Sequence, residues 1–121
     1  MAEQTGPNLG LKHGWNLGES GWHTGMDANQ VRLDTIVQLS VLDRDLTAPP
    51  GSPTAGDRYL VGAAATGAWA GKDGQIALYY NGGWAFYVPK KHWLCVVEDE
   101  AKLVRCTQVS PSIAWSAGIA I

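Results

Sequence analysis

Chemistry in this chain has few places to start: two cysteines, three histidines, and the adjacent carboxylates Asp99 and Glu100. Cys95 and Cys106 fall on the two arms of one expected hairpin, opposite one another across a polar turn. A cross-strand disulfide is geometrically open to such a pair. Buried free thiols are the reading that suits assembly in a reducing cytoplasm. His13, His23 and His92 lie in three separate segments, each beside a Trp or a Gly-Trp. His13 and His23 offer metal ligands only if two copies meet at a symmetry axis; ordinary hydrogen-bonded histidines are the plainer reading. Two cysteines with no clustered histidine make no zinc site. Asp99 and Glu100 sit in a turn, where solvated acids belong, and do not make the spaced acid/base pair of a glycosidase. No zinc-protease motif, nucleophile elbow or phosphate loop occurs. The residues therefore support no catalysis, and neither a cofactor nor a metal is expected.

The bulk properties narrow the classes further. At 121 residues and 45% hydrophobic, the chain is long enough for one packed core and too short for two. A formal net charge of −2, with 9 scattered basic residues, disfavours tight nucleic-acid binding. No apolar run is long enough to cross a bilayer, so no membrane insertion is expected. The opening Met1-Ala2-Glu3-Gln4-Thr5 lacks the basic and apolar regions of a signal peptide. Gly 15 and Pro 6 mean many turns, and six Trp with a single Phe favour rings that have a polar edge, as wet interfaces do.

These residues must be positioned by an α+β arrangement. An extended Gly/Trp-rich arm is expected over 1–25, followed by a single helix-plus-β domain over 26–121. In the arm, Gly14-Trp15 and Gly21-Trp22 recur seven residues apart. Rings on so glycine-rich a segment need a surface to lie on, either the chain's own sheet or a neighbouring subunit. Thr24-Gly25-Met26-Asp27 reads as a capping box, and the stretch to Leu42 lacks Gly and Pro after it, giving a helix over about 27–42. One side of that helix carries Met26, Leu33, Ile36, Val37 and Val41; the other carries Val31, Thr35, Leu39 and Leu42. Two apolar strips need two covers. The second points to self-association around a symmetry axis, unless the arm and the sheet wedge the helix between them.

Beyond the proline-rich connector Leu46 to Asp57, the pattern turns to strands. Arg58 to Val61 is one. Gln75 to Tyr80 and Trp84 to Val88 flank Asn81-Gly82-Gly83 as a hairpin. Trp93 to Val97 and Leu103 to Thr107 flank the turn Glu98 to Lys102, and a last strand runs through Ile113 to Trp115. Five or six short antiparallel strands result, with the apolar end Gly118 to Ile121 docked. Trp84, Tyr87 and Trp93 have the ring faces to stack on sugars, if they point outward. The alternative is that Trp84 and Phe86 alternate onto the core face.

Several segments, taken in order, resemble the family catalogued as domain of unknown function 2793. They are His13-Gly14-Trp15 through Gly21-Trp22 with Met26 to Asn29, and Leu33-Asp34 to Val41. Pro49 to Pro53 with Gly56 to Val61, Thr66 to Gly71 with Gln75 to Ala77, and Gly83 to Pro89 complete the set. The resemblance implies a structural part of a virion, since such modules occur in tailed phages and phage-derived gene transfer agents. It implies no catalytic residues. The expectation is a non-enzymatic tail-fibre or baseplate component, made in the bacterial host cytoplasm and residing in the virion as a homo-oligomer, with a trimer foremost. Trp15, Leu17, Trp22, Val31, Leu39 and Leu42 would make the subunit or partner contacts, the partners being copies of the chain and other tail or capsid proteins. A capsid head spike or decoration protein is the alternative placement. A glycan-binding module that touches a host surface glycan through Trp84, Tyr87 and Trp93 is the alternative class.

Overall fold

The structure is a computed structural model and describes residues 3–121. It is a small α+β fold that divides into two compact units, Met1–Val37 and Gln38–Ile121.

In the first unit, β1 (Gln4–Thr5) and β2 (Lys12–His13) pair antiparallel, so the segment expected to be an extended arm contains a short hairpin. The helix α1 follows over Trp22–Ile36. It therefore starts five residues before the expected Asp27 and ends six before the expected Leu42, and it runs through the 25/26 position where the arm was to end. Gly21, with φ 83°, is the cap, and no side chain caps the first turn, so the anticipated Thr24 capping box does not form. The early start depends on Gly25 having no side chain. A Cβ there would lie 2.3 Å from Cζ2 of Trp15 and 3.0 Å from Glu3 Oε2. The indole occupies that notch and donates from Nε1 to Glu3 Oε2 at 3.1 Å. One turn on, buried Asn29 accepts from the Lys12 amide (2.6 Å) and donates to the Lys12 carbonyl (2.7 Å), which fastens β2 to α1. At the other end Val37 is already extended and Gln38 takes φ 53°, so the helix stops.

The second unit holds the remaining strands: β3 (Ser40–Val41), β4 (Arg58–Leu60), β5 (Ile76–Tyr80), β6 (Gly83–Tyr87), β7 (Leu94–Val97), β8 (Lys102–Gln108), β9 (Ala114–Trp115) and β10 (Ile119–Ala120). β4, β5 and β6 form one antiparallel sheet. The β5–β6 turn is the expected one. Asn81 (φ 53°) and Gly82 (φ 76°) both take the left-handed conformation that a tight two-residue hairpin demands. A second sheet runs β10-β8-β7-β3, with β9 also on β8. Here β3 pairs parallel to β7, Ser40 with Val96 and Val41 with Val97, where only antiparallel strands were expected.

Register sorts the side chains of the first sheet. Tyr59, Ala77, Tyr79, Trp84 and Phe86 share one face, and Leu60, Ile76, Leu78, Ala85 and Tyr87 share the other. On the first face Trp69, in a 3-10 turn over Gly67–Trp69, is fully buried against Tyr59, Val61 and Ala77, with Trp84 and Phe86 packed beside it. Trp69 and Trp84 meet edge to face, 5.2 Å apart at 85°. Burying a tryptophan withdraws about 150–250 Å² of surface, roughly 4–6 kcal/mol at about 25 cal/mol per Å². That outweighs the cost, about 1–3 kcal/mol, of leaving the Trp69 Nε1 with no hydrogen-bond partner.

The Gly25 notch yields a test. Gly25→Ala should destabilise the protein by about 1–3 kcal/mol, because the added methyl displaces the Trp15 indole. In a Trp15→Ala background the same change should stabilise by about 0.5–1 kcal/mol, the helical advantage of alanine over glycine. Urea unfolding followed by helical circular dichroism measures both signs.

Candidate functional site

The two thiols do not face each other. Cys95 is opposite Val104 in the β7–β8 register, and the Cys106 amide bonds the Trp93 carbonyl (2.9 Å), two residues further along the ladder. Both cysteines are free and buried. The hairpin turn spans Glu98 to Ala101, which sets this offset: counting from Val97 opposite Lys102 places the cysteines on a diagonal. Burial pushes the Cys95 thiol up to about 12, overcoming the pull of Arg58 and Arg44, and burial raises Cys106 as well. A thiol held so far above neutrality is a poor nucleophile and a poor metal ligand.

The histidines are also apart. His13 is exposed on β2, and His23 stands at the start of α1 with its ring edge-on to Trp22 at 6.2 Å. His92, with φ 81°, receives a hydrogen bond at Nδ1 from Arg105 Nη1 at 2.9 Å, the tautomer with Nδ1 as acceptor being the one this contact needs.

The turn acids behave differently from a solvated pair. Glu100 accepts two hydrogen bonds from Arg44, Nε to Oε2 at 2.9 Å and Nη2 to Oε1 at 2.8 Å. The same guanidinium donates to the carbonyls of Ser116 (2.7 Å) and Ala117 (2.9 Å). Arg44 thereby ties the β7–β8 turn to the segment between β9 and β10. The hydrogen bond from Arg44 holds Glu100 below the usual carboxylate range, and Glu100 raises Arg44 in return. No local pattern announces this clamp, since its partners are 56 and more residues from Arg44. Asp99 is exposed and gathers with other acids. One carboxylate oxygen from each of Asp43, Asp45 and Asp99 falls within 4.8 Å of the others. Partial withdrawal from water, then the charges of Asp43, Glu100 and Asp45, raise Asp99. Three such oxygens are the donors a hard divalent cation takes.

The rings proposed for sugar stacking do not form a platform. Trp84 and Tyr87 lie on opposite faces of β6, because side chains alternate along a strand. Trp84 is half-buried among Tyr59, Trp69 and Tyr79, and Tyr87 is buried on the other face. Trp93 is half-buried in the segment before β7. Trp84 and Phe86 thus take the core-face alternative.

The contact residues divide as sharply. Leu17 is wholly exposed, at 107% of its reference surface, and Trp22 is 51% exposed. Trp15 is half-buried in its notch on α1. Val31 is half-buried on the helix, whereas Leu39 and Leu42 lie beyond its end, so the second helical strip does not exist as a unit. Leu39 is buried, 4% exposed, and its carbonyl accepts from the Val96 amide; it has no surface to offer a partner. Leu42, 37% exposed, retains some.

A family model described as "Protein of unknown function (DUF2793)" matches residues 27–110, more than half of the chain. No curated protein and no solved structure matches. No helix among the described residues is long and apolar enough to cross a membrane.

Two measurements follow from the titratable groups. In the folded protein neither cysteine should react with iodoacetamide at mildly alkaline pH, and both should react in denaturant; mass spectrometry counts the adducts. Glu100 and Asp99 should show opposite pH signatures. A carboxylate lowered by folding stabilises above its ordinary pKa and loses that contribution as pH falls through the lowered value. A carboxylate raised by folding destabilises while charged and is relieved as pH falls. Glu100→Gln should therefore destabilise at neutral pH and Asp99→Asn should stabilise, with both differences fading in acid below the carboxylate range; urea midpoints across pH read them.

Proposed function

The chain belongs to the DUF2793 family, and from that premise we propose that it is a non-enzymatic structural protein of a tailed phage or phage-derived particle. It acts in the tail fibre or baseplate, as a homo-oligomer with a trimer foremost. The observation that carries the reading is the exposure of Leu17 and Trp22 on the first unit. A leucine wholly in water on the loop leading into α1, and a half-bare indole at the first residue of that helix, are apolar groups without a cover. Large aromatic anchors of this kind are where protein interfaces concentrate their energy. The particle setting rests on the sequence resemblance to modules of phages and gene transfer agents.

The half-buried Trp15 refines the mechanism expected from the sequence. It does not reach for a neighbour; it braces the helix from within and so fixes the platform from which Leu17 and Trp22 project. The β unit supplies a rigid body that other tail proteins can grip. The double substitution Leu17→Glu with Trp22→Glu should turn an oligomer into a folded monomer. Size-exclusion chromatography with light scattering measures this, and a wild-type protein that is monomeric at tens of micromolar would refute the proposal.

A further inference from the structure

The second unit carries an apolar surface of its own. On the β7–β8–β10 sheet, register aligns Val96, Leu103 and Ile119 in one cross-strand row, with Leu94 and Arg105 paired one step along the same face. Leu94 is 57% exposed and Ile119 is 65% exposed, values that belong to residues waiting for a cover rather than to a solvated strand face. Between them runs an open groove of about 280 Å³, lined by Leu94, Leu103, Arg105, Ser116 and Ile119. Its rim is basic. Arg105 stands on this face, and the turn Lys90 to His92 lies at the same end of the strand pair, held by the His92 amide on the Cys106 carbonyl at 2.7 Å.

The first unit has the complementary features. Along α1 the exposed positions Trp22, Met26, Gln30 and Asp34 follow one another at four-residue spacing, and Asp27 is exposed beside Met26. Such spacing makes a single stripe, apolar at its start and acidic further on. The first unit carries Glu3, Glu19, Asp27 and Asp34 against Lys12 and Arg32, so it is acidic as a whole.

We propose that the Trp22–Met26 stripe of one copy docks in the Leu94–Leu103–Ile119 groove of a second copy, with Asp27 or Asp34 meeting the Arg105 rim. This rests on the oligomeric reading above and names the surface that receives the first unit. The stripe and the groove are different patches, so the contact is head-to-tail, and such contacts close into rings when the rotation between copies allows. The occupant is a second copy because apolar stripe, apolar groove and opposite charges at their edges all occur on one chain.

The test uses the full chain with p-benzoylphenylalanine in place of Trp22, in a mixed pool of isotopically light and heavy protein. After irradiation and trypsin, light–heavy cross-links from position 22 to peptides 92–102, 103–105 or 106–121 are expected. In parallel, Leu94→Asp, a change at an exposed position, should weaken self-association by about ten-fold or more. Cross-links to those peptides only within one isotope would make the contact intramolecular and overturn the proposal. Light–heavy cross-links only to other peptides, or unchanged association of Leu94→Asp, would overturn the groove while leaving the oligomer intact. A monomer with no light–heavy cross-links at all would remove both.

Discussion

The second unit depends on one short strap, residues 39–43, that is bonded on both sides. The Leu39 and Val41 carbonyls accept from the amides of Val96 (3.0 Å) and Glu98 (2.8 Å) on the β7 side. A residue or two later, the Leu42 amide donates to the Arg58 carbonyl (2.8 Å), and the Asp43 carbonyl accepts from Leu60 (3.1 Å) on the β4 side. Val41, at the middle, is fully buried. Without this strap the two sheets would share no main-chain ladder through β3. With it, the next residue, Arg44, is delivered to Glu100 and to the Ser116 and Ala117 carbonyls, so one extended segment fixes the sheets and the closing strands together.

The strap also explains why the helix is shorter than its pattern. Apolar residues continue at helical spacing through Leu42, but a backbone that supplies four hydrogen bonds to two strands cannot also be helical. The β-branched run Thr35-Ile36-Val37, with Val41 beyond it, offers little resistance to the change. Non-local pairing overrides local propensity here, as it often does.

What the sequence disclosed follows the same division between near and far. The β5–β6 hairpin was legible because Asn81-Gly82 carries the turn chemistry in two adjacent residues, and β7–β8 because its arms are close neighbours. The α+β class was legible from the switch of periodicity near the prolines. The helix start was not, because Gly25 reads as a breaker until one sees the Trp15 indole occupying the space its side chain would need. The parallel β3–β7 pair joins segments more than fifty residues apart and leaves no local trace. The diagonal offset of Cys95 and Cys106 hinges on whether the turn begins at Glu98 and ends at Ala101, a single-residue question. Trp84 and Tyr87 were separable in principle, since odd spacing along one strand puts them on opposite faces.

The consequence is a contrast between a filled interior and bare apolar surface. The strap and the tryptophan cluster leave the second unit well filled inside, while Leu17 and Trp22 on the first, and Leu94 and Ile119 on the second, stay in water. Hydrogen exchange by NMR, read at high and at low protein concentration, tests that contrast most directly. The amides of Leu60, Val96 and Glu98 should exchange only through global unfolding at every concentration, whereas protection of the first turn of α1 should fall on dilution as the proposed neighbouring copies leave. Exchange at those three amides as fast as in surface loops, or a first turn whose protection ignores concentration, would contradict the account.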